Sequence, residues 1–358
     1  MDDAVELTEV DAPPFVAGLE LAETLYAQGV APLVADRLPG LRYGAALVGP
    51  GSDVLGYDTP VSTDHDWGPR LQLFLEEHQL ERHGTELADI LAKTLPAEVG
   101  GHPTRFGDPP RQQVEVTTVS RFASALVGFD PLEKVTLRDW LTTPQQRLLE
   151  LTTGRVFRDE LGELERLRAT LAFYPEPVWL YLMAAQWRRI SQLEPFVGRA
   201  GVVGDDVGSR AVATTLVRDL MRLAFLMERR YAPYEKWFGS AFARLACARR
   251  LGPVLGRVLA AYDWTQRENH LVEAYRIVAT LHNNLGLTPE LDPEPAPFHE
   301  RPYKVIRGDR FAVALHDAIG HEGVKGLPPG LGGIDQVTDN VDVLTSAVRC
   351  RALSVLWR

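Results

Sequence analysis

Apolar residues recur at two different periods along this chain, and the change between them divides it. Across residues 15–38, Leu21, Leu25, Leu33 and Val34 fall at helical spacing, which predicts a helix that Pro32 kinks or divides. Residues 43–48 are short, apolar and bounded by glycines, the pattern of a buried strand. Residues 70–75 (RLQLFL) predict a second strand, with Trp67-Gly68-Pro69 bending or bulging its entry. Leu87, Ile90, Leu91 and Leu95 predict a helix over 85–95, and residues 100–110 form a Gly/Pro loop. In residues 112–119, Val114 and Val116 take one face with Thr118, and Gln113, Glu115 and Thr117 take the other.

From Leu137 onward the spacing is helical almost throughout, over 144–172, 176–192, 209–231, 233–250, 252–262 and 267–285. Ser209 follows a glycine-punctuated loop and reads as a helix cap. Residues 288–302 are Pro-rich and read as a linker, and 337–356 as a closing helix. The prediction is an α+β chain: a mixed-sheet domain over 1–135, an all-helical bundle domain over 136–290, and a C-terminal extension over 291–358 packed on the bundle.

Composition narrows the function. A formal net charge of −10 argues against binding extended nucleic acid, which leaves a basic footprint. Cys247 and Cys350 are far apart and make no metal-spaced cluster, so both are expected as buried apolar residues. The acidic start lacks the features of a signal peptide, and no run approaches the length of a membrane span, so a cytoplasmic protein with no membrane partner is expected. There is no phosphate-binding loop ending in Gly-Lys-Ser/Thr and no Gly-x-Ser-x-Gly elbow.

The chemistry concentrates in residues 51–70, GSDVLGYDTPVSTDHDWGPR. Gly51 and Ser52 offer backbone N–H groups and a hydroxyl, as a phosphate cradle at a helix start does. Asp64 and Asp66 stand one residue apart, expected near a strand start or bulge, and on a strand they would share a face while His65 points away. Paired carboxylates of that kind hold a divalent cation. Together these parts predict a Mg²⁺-nucleotide site. Asp53 and Asp58 read as turn residues or supports.

The run resembles the signature of the nucleotidyltransferase superfamily with the DNA polymerase beta-like fold. In detail, Gly56, Asp58, Ser62 and the run from Asp64 to Arg70 resemble the bacterial DUF4037 family. The resemblance implies a mixed-sheet nucleotidyltransferase domain that moves a nucleoside monophosphate from a nucleoside triphosphate, ATP or another, to a hydroxyl-bearing small-molecule or protein acceptor. It implies Mg²⁺, with two ions accommodated, on Asp64 and Asp66, and a third carboxylate on a neighbouring strand, which Glu115 matches as ligand or general base. Glu115 is expected to face inward between outward valines. Arg70 is a candidate phosphate ligand beside Gly51 and Ser52, and Lys236 a candidate cation from the helical domain. Arg218, Arg222 and Arg229 form a partial basic stripe that reads as a solvated face.

Two other readings compete. One is a non-catalytic module on the same fold that binds a nucleotide or a partner. The other is an HD-type metal phosphohydrolase built on His65-Asp66, which would need a helix where Trp67, Gly68 and Pro69 stand.

Overall fold

The computed structural model describes residues 13–64 and 67–358, with Asp64 described by its backbone alone. The chain divides into two compact units: Met1–Ala123 with Glu150–Ala169, and Ser124–Leu149 with Thr170–Arg358.

The first unit is built on a four-stranded mixed sheet. Its strands are β1 (Gly44–Leu47), β2 (Leu71–Phe74), β3 (Val114–Thr117) and β4 (Arg155–Asp159), in the order β3-β2-β1-β4. β1 runs antiparallel to both β2 and β4, whereas β2 and β3 are parallel. One face carries Ala45, Leu71, Leu73 and Val114, which pack against Leu25, Val30, Leu33, Val34, Leu87 and Leu91 from the flanking helices. Each fully buried leucine there contributes about 2 kcal/mol relative to exposure. Alternation sends Gln72, Phe74, Glu115 and Thr117 to the opposite face, where Phe74 meets Phe122 edge-on at 5.7 Å.

The first helical run is interrupted just before Pro32. The chain passes from the Gly18–Leu25 helix through one π-helical turn, Tyr26–Val30, into the Ala31–Arg37 helix. Pro32 is the second residue of that last helix, and the π-helical turn directly before it is where the regular α-helical ladder is broken. The next helix spans Glu77–Thr94 and begins well before the expected 85, because its first two turns are mostly polar and only Leu80 reaches the core.

The segment 144–172, expected as one helix, contains the fourth strand. The chain runs as the Gln145–Thr152 helix, β4 and the Glu163–Thr170 helix. Phe157 on β4 stacks on Tyr26 with ring centroids 5.4 Å apart, and the Arg158 guanidinium lies 4.8 Å from the Tyr43 ring centroid. These long-range contacts override the local helical spacing. Residues 150–169, placed by the sequence with the helical domain, therefore belong to the first unit.

The second unit is helical apart from the two-stranded ladder of Ala296–Pro297 with Lys304–Val305. Its long helices are Glu176–Leu193, Asp206–Met227, Ala248–Ala260 and Trp264–Asn284. Asp205, not Ser209, caps the second of these by accepting from Gly208 N. Ser209 is buried, donating to Val197 O and accepting from Arg267. The Gly308–Asp317 helix packs on the first through Phe311, stacked on Trp187 at 4.3 Å. The stretch expected as one closing helix is broken into short turns at Asn340 and Ser346, each of which caps the next segment. Cys247 and Cys350 are free and buried. Among the described residues no helix is long and apolar enough to cross a membrane.

Candidate functional site

β1 delivers the chain to the candidate site. One residue past its end, Val48 N donates to Gln72 Oε1 at 3.1 Å, so a buried β2 side chain takes up the first backbone donor beyond the strand. Residues 51–56 then form consecutive tight turns, closed by Gly56 N donating to Asp53 O at 3.0 Å and Tyr57 N donating to Ser52 O at 2.9 Å. No helix starts there, contrary to the expected helix-start cradle. Gly51 has φ 142° and Gly56 φ 68°, and neither value belongs to a right-handed helix.

Asp53 is 1% exposed. Its Oδ1 accepts from Val54 N at 2.8 Å and from the Arg70 guanidinium at 2.7 Å. The same Arg70 nitrogen donates to Pro50 O at 2.8 Å. Asp53 Oδ2 and Arg70 Nε are buried without partners. Asp58 forms a second tie: its Oδ2 accepts from Gly18 N at 2.7 Å and from the Trp67 indole N–H at 3.0 Å. The Trp67 ring stacks on Phe15 at 5.7 Å and meets His102 edge-on at 5.0 Å.

The metal candidates fall partly beyond this description. Asp64 ends a 3-10 turn, Pro60–Asp64, and β2 begins only at Leu71, so Asp64 lies ahead of the strand start or bulge near which it was expected. The local cause is a self-contained turn: Thr59 N donates to Ser62 Oγ at 3.1 Å, Thr63 Oγ1 donates to Pro60 O at 2.9 Å, and Gly68-Pro69 delays the strand. The Asp64 side chain, His65 and Asp66 lie outside the described residues. The described residues on either side of His65-Asp66 are not α-helical. Among the described residues no three His, Cys, Asp or Glu side chains group as a metal site.

Glu115 on β3 lies directly across from Gln72 on β2. The orientation expected for it is reversed: Val114 packs into the core while Glu115 is exposed on the other face. Partial desolvation still raises its carboxyl above the ordinary value. Lys236 belongs to the second unit. It is exposed on the Glu235–Phe242 helix, its ammonium 5.1 Å from the Trp237 ring centroid. The supposed solvated stripe is engaged: Arg218 pairs with Glu235 and Asp339, Arg222 donates to Asp335 O, and Arg229 lies over Phe173 and Trp179.

The first unit thus brings Gly51, Ser52 and Arg70 together, with Glu115 on the strand beside β2. Gln72 and the ties of Asp53 and Asp58 escaped the sequence reading. The available signal was an acidic, glycine-rich turn followed shortly by Trp-Gly-Pro-Arg.

No curated protein matches the chain. Among solved structures, it is similar to a nucleotidyltransferase-like protein from Exiguobacterium sibiricum 255-15, at 13% identity and a TM-score of 0.34, over 84% of this chain and 89% of that one. Residues 140–238 match the family described as domain of unknown function DUF4037. That segment is similar to the same family that the 51–70 run resembles, and the run itself lies outside the matched residues.

Proposed function

We propose that this chain is a Mg²⁺-dependent nucleotidyltransferase. An acceptor hydroxyl attacks the α-phosphorus of a nucleoside triphosphate, the bond from that phosphorus to the bridging oxygen breaks, and pyrophosphate leaves as the hydroxyl loses its proton. One observation carries the reading. The Gly51-Ser52 turn at the end of β1 is tied by the Asp53–Arg70 ion pair to the residue that enters β2, so both halves of the motif are held in one frame.

In that frame Gly51 and Ser52 bind phosphate oxygens through backbone N–H groups and the hydroxyl. Asp64 and Asp66 supply hard oxygen donors of the kind Mg²⁺ prefers, and the frame holds the segment that bears them at its C-terminal flank. Bound there, the ion would neutralise charge on the triphosphate and acidify the acceptor hydroxyl. Glu115, its carboxyl already raised by desolvation, takes the acceptor proton.

A second reading, a non-catalytic nucleotide-binding module, is favoured by one feature: the cross-strand neighbour of Glu115 is Gln72, an amide and not a carboxylate. Pyrophosphate release separates the two. With Mg²⁺, each of the four nucleoside triphosphates, and small hydroxylated or protein acceptors, the enzyme reading expects release that Glu115→Gln abolishes while nucleotide binding persists. Binding without release from the wild-type chain establishes the module instead.

A further inference from the structure

We propose that Arg70 is a positioning residue and not a phosphate ligand: with Asp53 it forms half of a brace, completed by Asp58 and Trp67, that locks the Gly51-Ser52 turn to the segment carrying Asp64 and Asp66. The inference rests on the nucleotidyltransferase reading and gives its site a specific architecture.

The two ties are nested. Asp58 meets Trp67 across nine residues of sequence, and Asp53 meets Arg70 across seventeen, so together they close the neck of the loop that holds the metal candidates. Each tie is anchored on rigid structure. Asp58 also accepts from Gly18 N, at the start of the Gly18–Leu25 helix, and the Trp67 ring lies against Phe15 and His102. Asp53 also caps its own turn through Val54 N. The arginine's charge is committed to this task, although its Nε has no partner. One guanidinium nitrogen serves both Asp53 Oδ1 and Pro50 O, and the Asp53 charge cancels its own. Asp53 is 1% exposed, so swinging Arg70 onto a triphosphate would leave a buried carboxylate unpaired. Gly51 permits the close approach, because a side chain there would occupy the space of Asp53 Oδ1 and the Arg70 guanidinium.

The test is a double-mutant cycle of Asp53→Asn and Arg70→Gln, with Arg70→Lys and Trp67→Phe alongside. It is read three ways: affinity for ATP and the other nucleoside triphosphates with Mg²⁺, rate of pyrophosphate release, and amide exchange of residues 51–58. The brace predicts that each single variant slows release about 100-fold through misplaced groups and speeds exchange in the turn. The double variant is no worse than either single one, because the pair acts as a unit. Arg70→Lys does not rescue, since the shorter lysine ends its ammonium short of the nitrogen that meets both Asp53 Oδ1 and Pro50 O. Trp67→Phe slows release without touching any charge, and it carries the comparison if Asp53→Asn does not fold. A phosphate-ligand role predicts otherwise: Asp53→Asn frees a cation and tightens nucleotide binding, Arg70→Gln weakens it, and Arg70→Lys restores part of it. That pattern, additive losses, or release unchanged in Trp67→Phe would overturn the brace while leaving the activity intact. A wild-type chain that binds no nucleoside triphosphate would overturn the activity and the positioning role together.

Discussion

Replacing Gly51 by alanine measures how tightly the phosphate turn is held, and Gly56 supplies the control within the same turn. Gly56 has φ 68° with open space where a Cβ would stand, so alanine there costs only the left-handed backbone penalty, about 1 kcal/mol. Gly51 has φ 142°, a region nearly reserved for glycine, whose strain is about 1–3 kcal/mol. Its methyl would also displace the Asp53–Arg70 pair, with side chains 1% and 14% exposed. Breaking a buried pair costs about 3–5 kcal/mol, and the partial exposure of Arg70 favours the lower end. Gly51→Ala should therefore be less stable than Gly56→Ala by at least about 3 kcal/mol. Urea denaturation, followed by amide exchange in β1 and β2 because the two units need not unfold together, gives the difference. Stabilities within about 0.5 kcal/mol of each other would refute the account of the turn.

Other consequences are independent of this one. Trp67→Phe keeps an aromatic ring against Phe15 and His102 but removes the N–H to Asp58 and part of the ring's bulk, so it should cost at least about 1.5–3 kcal/mol. A Trp67→Phe, Asp58→Asn double variant should lose less than the sum of the two, which urea denaturation of the set checks. In the second unit, burial pushes the Glu194 carboxyl from 4.5 up to about 7, although it accepts from Ile306, Arg307 and Gly308 N. A folded-state value above the unfolded one means that the native state holds the extra proton. Stability from this group is complete below the unfolded value and is lost as pH rises toward about 7. The stability of wild type relative to Glu194→Gln should fall by about 3 kcal/mol between about pH 4 and pH 8, and a flat difference contradicts it.

Three of the four strands were legible because each is a short apolar or alternating run between turn residues. β4 was not. RVFRD lies between two helical patterns, and what makes it a strand is pairing with β1, more than a hundred residues earlier in the chain. Local spacing carries no trace of that partner. Pro32 was more informative, because the helical run crosses it only after a π-helical turn that breaks the regular α-helix. In the site, Gly51, Ser52 and Glu115 were visible as residue types at a spacing, whereas Asp53 and Asp58 read only as turn residues or supports with no partner named. An aspartate in a glycine-rich turn usually is a turn former. Their weight comes from Arg70 and Trp67, and which donor each carboxylate meets is decided by the fold of the intervening loop. The direction of Glu115 was misjudged for a similar reason, since alternation fixes that two faces differ but not which one meets the helices.

Isothermal titration of Mg²⁺ with each nucleoside triphosphate tests the central claim most directly. The account predicts that the wild-type chain binds at least one nucleoside triphosphate with Mg²⁺ and that the Asp64→Asn, Asp66→Asn double variant does not. Absence of binding to all four by the wild type, or binding undiminished in the double variant, would contradict it.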